Sequence, residues 1–259
     1  MGKGKHFKSK IKSNPKRLLI LLIVFLISII MIILDFNTIN TDKSFQNIAK
    51  DDSIVESSIS AEGKTERMTK LEELQKENTD IVGWLQIDNT KINYPVLQGE
   101  DNSFYMKHNY KKQYSKNGAL FLDKDYDWSL PSTNLLIYGH NNRGSNEMFA
   151  SLMNYKDEDY YKNHKTIRFT TNAEDAEYEI ISVFLSRVYY KSETDVFRYY
   201  YFVNAENEQE FNEYVQNSKA ASLYNIEATA EYGDQLLTLS TCEFSQEDGR
   251  LAVVARKIK

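Results

Sequence analysis

Cysteine is nearly absent from this chain, with one residue, Cys242, in 259. That excludes a disulfide scaffold and any metal site built on a cysteine pair. Three prolines and ten glycines are too few for a collagen-like or low-complexity chain. Acidic residues are missing from the first 34 positions, which hold seven bases: Lys3, Lys5, Lys8, Lys10, Lys12, Lys16 and Arg17. The whole chain carries −5, so the remainder carries −12. A basic tail precedes an acidic body, which argues against nucleic-acid binding by that body. What is present is an ordinary globular composition, 41% hydrophobic and 27% charged, which argues against disorder. The length fits one good-sized domain or two small ones.

Residues 18–34 read LLILLIVFLISIIMIIL, with Ser28 the only polar member. At helical rise the run covers roughly 25 Å, the short end of what spans a bilayer. The basic flank before it predicts a cytoplasmic N-terminus, residues 1–17, and an extracytoplasmic body. The competing reading is a cleaved signal peptide, with an apolar region of about 7–15 residues and a small-residue cleavage site. Here the run is longer and ends in Leu-Asp-Phe-Asn-Thr, which favours an uncleaved, single-pass anchor. Both readings make the body extracytoplasmic. Residues 35–65 are polar and lack sustained periodicity, as expected of an extracellular stalk.

From residue 66 the text becomes that of a folded domain. Met68, Leu71 and Leu74 recur at helical spacing and predict a short amphipathic helix over 66–78. Short apolar or alternating runs at 81–87, 91–97, 118–122, 133–139, 165–171, 178–189, 235–242 and 250–258 predict strands. Residues 147–153 place Met148, Phe149 and Leu152 on one helical face. The segment 206–216 predicts a surface helix with Phe211, Tyr214 and Val215 turned inward. Many short strands with scattered helices point to a β-barrel or sandwich core decorated by helices.

Strand alternation in QLLTLSTC puts Leu236, Thr238, Ser240 and Cys242 on one face and Leu237, Leu239 and Thr241 on the other. Cys242 then lies at a strand end beside hydroxyl residues. Taken alone, a lone Cys is as readily a small buried hydrophobe as a nucleophile. The next segment, EFSQEDG, reads as a loop, and Arg250 opens the following strand. If the two strands are antiparallel neighbours, Arg250 and Cys242 meet at one end of the sheet. A guanidinium there favours the thiolate and can donate to an acyl oxygen. The bland alternative for Arg250 is an ion pair with Glu247 or Asp248. A thiol nucleophile also needs an imidazole partner. Among His108, His140 and His164, only His140 follows an apolar strand, NLLIYG, and precedes a loop, NNRGSN. His108 and His164 lie in polar stretches and are expected to be exposed. No His pair has metal-ligand spacing.

The strings LLTLSTCE with Arg250 beyond it, YGHN at 138–141, and NTDIVGWLQIDNTKINYPVLQGEDNSFY at 78–105 together resemble the sortases, specifically class B. The resemblance runs in order from about residue 66 to 258. It implies a catalytic domain over 66–259, mostly β with helices. Its fold would be an eight-stranded sortase-like barrel with an N-terminal helical addition and a helix inserted before the last two strands. It implies a membrane-anchored cysteine transpeptidase on a Gram-positive surface, with no cofactor and no metal requirement. Its partners would be the sorting-motif peptide of secreted surface proteins and a peptidoglycan or pilin amine.

In that reading Cys242 is the nucleophile, His140 the general acid and base, and Arg250 the substrate and oxyanion holder. Asn102, Tyr138, Ser240 and Thr241 would contact substrate, and the backbone N–H of Glu243 would be a second oxyanion donor. The sequence departs from other class B members in a short loop between Cys242 and Arg250. It also departs at Asp195, Val196 and Phe197, where other groove residues are expected. The alternatives are a surface peptidase that mainly hydrolyses, and a non-enzymatic anchored binding protein.

Overall fold

The computed structural model describes residues 15–51, 65–142, 144 and 147–259. The chain forms two units that divide near residue 48. The first holds α1 (Pro15–Asp51), 37 residues long. Proline at the first helical position removes an amide hydrogen that would find no partner there. The window Lys16–Ile33 has a mean hydropathy of 2.8 and none of it is buried, so length and composition suit a membrane crossing. The helix runs on through polar residues to Asp51, where the sequence suggested an irregular stalk. No Pro or Gly interrupts the segment, and a nucleated helix adds residues at little expense. The rest of the expected stalk, residues 52–64, lies outside the described residues, as does the tail before residue 15.

The second unit begins with α2 (Glu66–Glu77). Thr65 caps it by accepting the Met68 amide at 3.3 Å, and Met68, Leu71 and Leu74 are buried. Eight strands follow: β1 (Ile81–Gln86), β2 (Asn93–Leu97), β3 (Leu120–Leu122), β4 (Asn134–Tyr138), β5 (Thr166–Thr170), β6 (Asp175–Arg187), β7 (Leu236–Cys242) and β8 (Gly249–Lys257). They close a barrel in the order β1-β2-β3-β4-β7-β8-β6-β5. Helix α3 (Glu158–Asn163) precedes β5, and α4 (Glu208–Ala220) stands between β6 and β7. The predicted helix at 147–153 is a 3₁₀ segment, Ala150–Lys156. Phe149 and Leu152 are nevertheless fully buried beside it.

Pairing at the centre of the barrel positions one rim. β4 and β7 run parallel, with Leu136 opposite Thr238 and Tyr138 opposite Ser240. Parallel neighbours end on the same edge, so the residues just beyond β4 lie beside the end of β7. β7 and β8 run antiparallel with Cys242 opposite Arg250. Leu236 through Thr241 are all buried, so β7 is covered on both faces rather than alternating core and solvent. The covering comes from α4, whose Tyr214 hydroxyl meets Thr238 Oγ1 at 2.8 Å, and from the 3₁₀ turn Tyr199–Tyr201. Phe211, Tyr214 and Val215 face inward, as their spacing predicts.

Candidate active site

Cys242 is half-buried and carries a free thiol at the last position of β7. Three hydrogen bonds tie that strand end to the chain leaving β4, and a fourth ties it to Tyr199. Ser240 O accepts the Gly139 amide at 3.2 Å, and Gly139 O accepts the Thr241 hydroxyl at 2.7 Å. Asn141 Nδ2 donates to Cys242 O at 2.9 Å, and Ser240 Oγ lies 2.8 Å from the Tyr199 hydroxyl. The crossing is close at Gly139. A Cβ there would stand 2.4 Å from Leu120 Cδ2 and 2.6 Å from Phe149 Cδ2, so a larger residue would force these buried side chains to move.

His140 lies in this bridging stretch, between Gly139 and Asn141. Its Nε2 is 2.7 Å from the carbonyl oxygen of Met106. A carbonyl only accepts, so Nε2 carries a hydrogen and Nδ1 is the ring atom whose protonation can change. Met106 ends the 3₁₀ turn Phe104–Met106. Asp101 Oδ1 starts that turn by accepting the Ser103 and Phe104 amides, each at 2.7 Å. Buried Tyr105 anchors it, donating to Asp80 Oδ2 at 2.6 Å.

Arg250 opens β8 at the same rim. Its Nη1 donates to the carbonyls of Asp248 at 3.2 Å and Gly249 at 2.9 Å. Among the described residues it pairs with no carboxylate, so the expected alternative, an ion pair with Glu247 or Asp248, is not formed. Nε and Nη2 hold no hydrogen bond to a described residue and remain as donors. Burial pushes the Tyr199 phenol up to about 12, while its bond to Ser240 and the Arg250 charge act the other way. Tyr199 is therefore a neutral hydroxyl.

Cys242, His140 and Arg250 line one groove of about 240 Å³. Met106, Phe121, Val188, Tyr199 and Tyr200 give it apolar walls, and Asn102, Tyr138, Ser240 and Thr241 add polar atoms. The hydroxyls of these last residues are already engaged: Ser240 with Tyr199, Thr241 with Gly139 O, and Tyr138 with Asp123 Oδ2 at 2.9 Å. They brace the groove as well as face it.

Glu243 differs from expectation. Its amide donates to Gly249 O at 2.9 Å and closes the turn between β7 and β8, so in this structure that N–H is not offered to an oxyanion. Its side chain is buried and bonded to Lys156 Nζ and to the Ser245 hydroxyl and amide. Burial works to raise its pKa, but these partners outweigh it and hold the carboxyl at about 2. Phe197 also has a different place: it packs on Phe184, Tyr199 and Tyr214 behind the groove, while Val188, Tyr199 and Tyr200 of the same segment form the wall. His108 and His164 are half-buried rather than exposed. Each stacks, centroids 4.0 Å apart, on an aromatic ring four residues earlier, Phe104 and Tyr160. Neither belongs to a metal-ligating cluster among the described residues.

Sequence reasoning missed Met106, Asn141, Asp123 and Tyr199. Asn141 directly follows the Gly-His step, which was a usable signal. The others act through a backbone carbonyl or from segments remote in sequence.

Comparison with known proteins gives consistent results. The family profile described as Sortase domain matches residues 85–258. Sortase B of Listeria monocytogenes is 34% identical over 193 residues, covering 73% of this chain and 74% of that protein. Sortase B of Staphylococcus aureus is 32% identical over 192 residues, covering 73% and 75%. A solved structure described as the Staphylococcus aureus sortase B–substrate complex superposes with a TM-score of 0.67 at 27% identity, covering 87% of this chain and 96% of that one.

Proposed function

Because the chain belongs to the sortase family, in its class B branch, we propose that it cleaves a C-terminal sorting motif after Thr and transfers the acyl group to a cell-wall or pilin amine. The observation that carries this reading is the convergence of Cys242, His140 and Arg250 on one groove at the barrel rim. The description of a Staphylococcus aureus relative as a substrate complex supports a substrate site in this chain.

In the first step the Cys242 thiolate attacks the Thr carbonyl carbon. Arg250, through its unengaged guanidinium nitrogens, hydrogen-bonds the oxyanion that develops. The C–N bond then breaks, and the His140 imidazolium gives its Nδ1 proton to the leaving amine. A thioacyl remains on Cys242. In the second step an incoming primary amine loses a proton to Nδ1 as it attacks the thioacyl carbon, and the thiolate leaves. The bond from Nε2 to Met106 O holds the ring in one orientation through both steps. α1 anchors the protein in the membrane, with its N-terminus cytoplasmic and the catalytic unit outside.

Product analysis tests this reading. A sorting-type peptide incubated with the full chain in detergent and an amine such as triglycine gives an amide-linked transfer product, and Cys242→Ala gives none. Acid product alone, with no amine adduct at any amine concentration, would assign the chain to hydrolysis instead.

A further inference from the structure

Asp123 follows β3 and is 4% exposed. Its carboxylate does not line the groove, yet two groove residues depend on it. Oδ2 accepts the Tyr138 hydroxyl and Asn102 Nδ2, each at 2.9 Å, and Oδ1 accepts the Asp125 amide at 2.9 Å. Among the described residues no cation lies within ion-pairing distance of it. Asn102 Oδ1 in turn accepts the Lys124 amide at 2.8 Å.

These partners fix the polarity of the wall. An ionised carboxylate only accepts, and a backbone N–H only donates. Asn102 can therefore sit in one orientation, with Nδ2 toward Asp123 and Oδ1 toward Lys124. Its second Nδ2 hydrogen is left for the groove. The Tyr138 hydrogen is committed to Asp123, so its oxygen can only accept from a ligand. We infer that Asp123 is a positioning residue that sets the hydrogen-bond polarity of this wall, making it donate to a peptide carbonyl at Asn102 and accept from a peptide N–H at Tyr138. The inference rests on the reading of the groove as a peptide site.

Asp123→Asn keeps the size of the side chain but leaves one acceptor oxygen where there were two. Either the Asp125 turn or the Asn102–Tyr138 pair then faces a donor. With the full chain in detergent and a cleavable sorting-type peptide, kcat/KM falls about tenfold or more, through KM rather than kcat. Alkylation of Cys242 by iodoacetamide, which needs no peptide, keeps its wild-type rate. In the Asn102→Ala/Tyr138→Phe background the same Asp123→Asn change adds almost nothing, because its route of action is gone. A full tenfold loss in that background, or a loss confined to kcat, would overturn the inference. Wild-type protein that cleaves no peptide would defeat the transfer reading instead. Asp123 is then still decided by NMR exchange of the Asn102 side-chain amide. Exchange that quickens in Asp123→Asn supports the inference, and unchanged protection contradicts it.

Discussion

At the scale of single residues, the site depends on groups whose partners leave specific atoms free. Arg250 keeps Nε and Nη2 while Nη1 is folded onto its own turn. Lys offers one point of charge and cannot hold the turn and an oxyanion together. Arg250→Lys is expected to lower peptide kcat/KM about a hundredfold while leaving the melting temperature near wild type; near-normal turnover would remove Arg250 from the oxyanion role. Glu243 makes a different kind of prediction. Its carboxyl sits at about 2, below the ordinary 4.5. A depressed pKa contributes stability above about pH 4.5 that is lost as the pH falls through about 2. Urea unfolding followed by the fluorescence of Trp84 and Trp128 should show that acid loss in the wild type. Lys156→Met should be less stable at pH 7 and lose less on acidification; parallel pH curves would mean the ion pair contributes nothing. Cys242, His140 and Arg250 were legible in the sequence as residues, from one scarce amino acid at a strand end and from the family strings. Their bracing was not, because the Met106 carbonyl carries no side-chain signal and Asp123 reads as a turn residue.

At the scale of elements, the parallel pairing of β4 and β7 and the antiparallel pairing of β7 and β8 bring three distant positions to one edge. Alternation and turn signals located all eight strands. They did not show how β7 is covered, because the burial of both its faces depends on α4 and Tyr199, which periodicity within the strand cannot reveal. The 3₁₀ segment Ala150–Lys156 was read as a helix because its apolar spacing is shared by both. The turn Phe104–Met106 is the element that most directly sets His140, and Gly118 supports it. Gly118 has φ +60, and a Cβ there would stand 2.6 Å from Tyr105 O and 2.8 Å from Met106 O. Gly118→Ala is expected to destabilise the protein by about 1–3 kcal/mol and to depress kcat further than the stability loss explains, because the carbonyl holding His140 is displaced. Thermal unfolding and peptide kinetics on one preparation check this; wild-type kcat at a lowered melting temperature would separate the turn from catalysis.

At the scale of the whole molecule, an apolar helix and a barrel with its own core form separate units. The apolar helix was legible from a seventeen-residue run, polar only at Ser28, behind a basic flank, whereas its continuation to Asp51 was not, since polar text without periodicity reads equally as coil. Removing residues 1–34 is expected to move the protein from the membrane pellet to the supernatant with unchanged peptide kcat/KM; lost activity in a folded, soluble product would give the anchor a role beyond placement. The central claim is that Cys242 carries the acyl group between two amines. Intact-mass measurement of the full chain, quenched in acid during turnover of a sorting-type peptide, addresses it directly. The account predicts an adduct equal to the peptide's portion through Thr, mapped to Cys242, released by hydroxylamine and absent from Cys242→Ser. An acylated residue elsewhere, or turnover with Cys242 unmodified at every quench time, would contradict it.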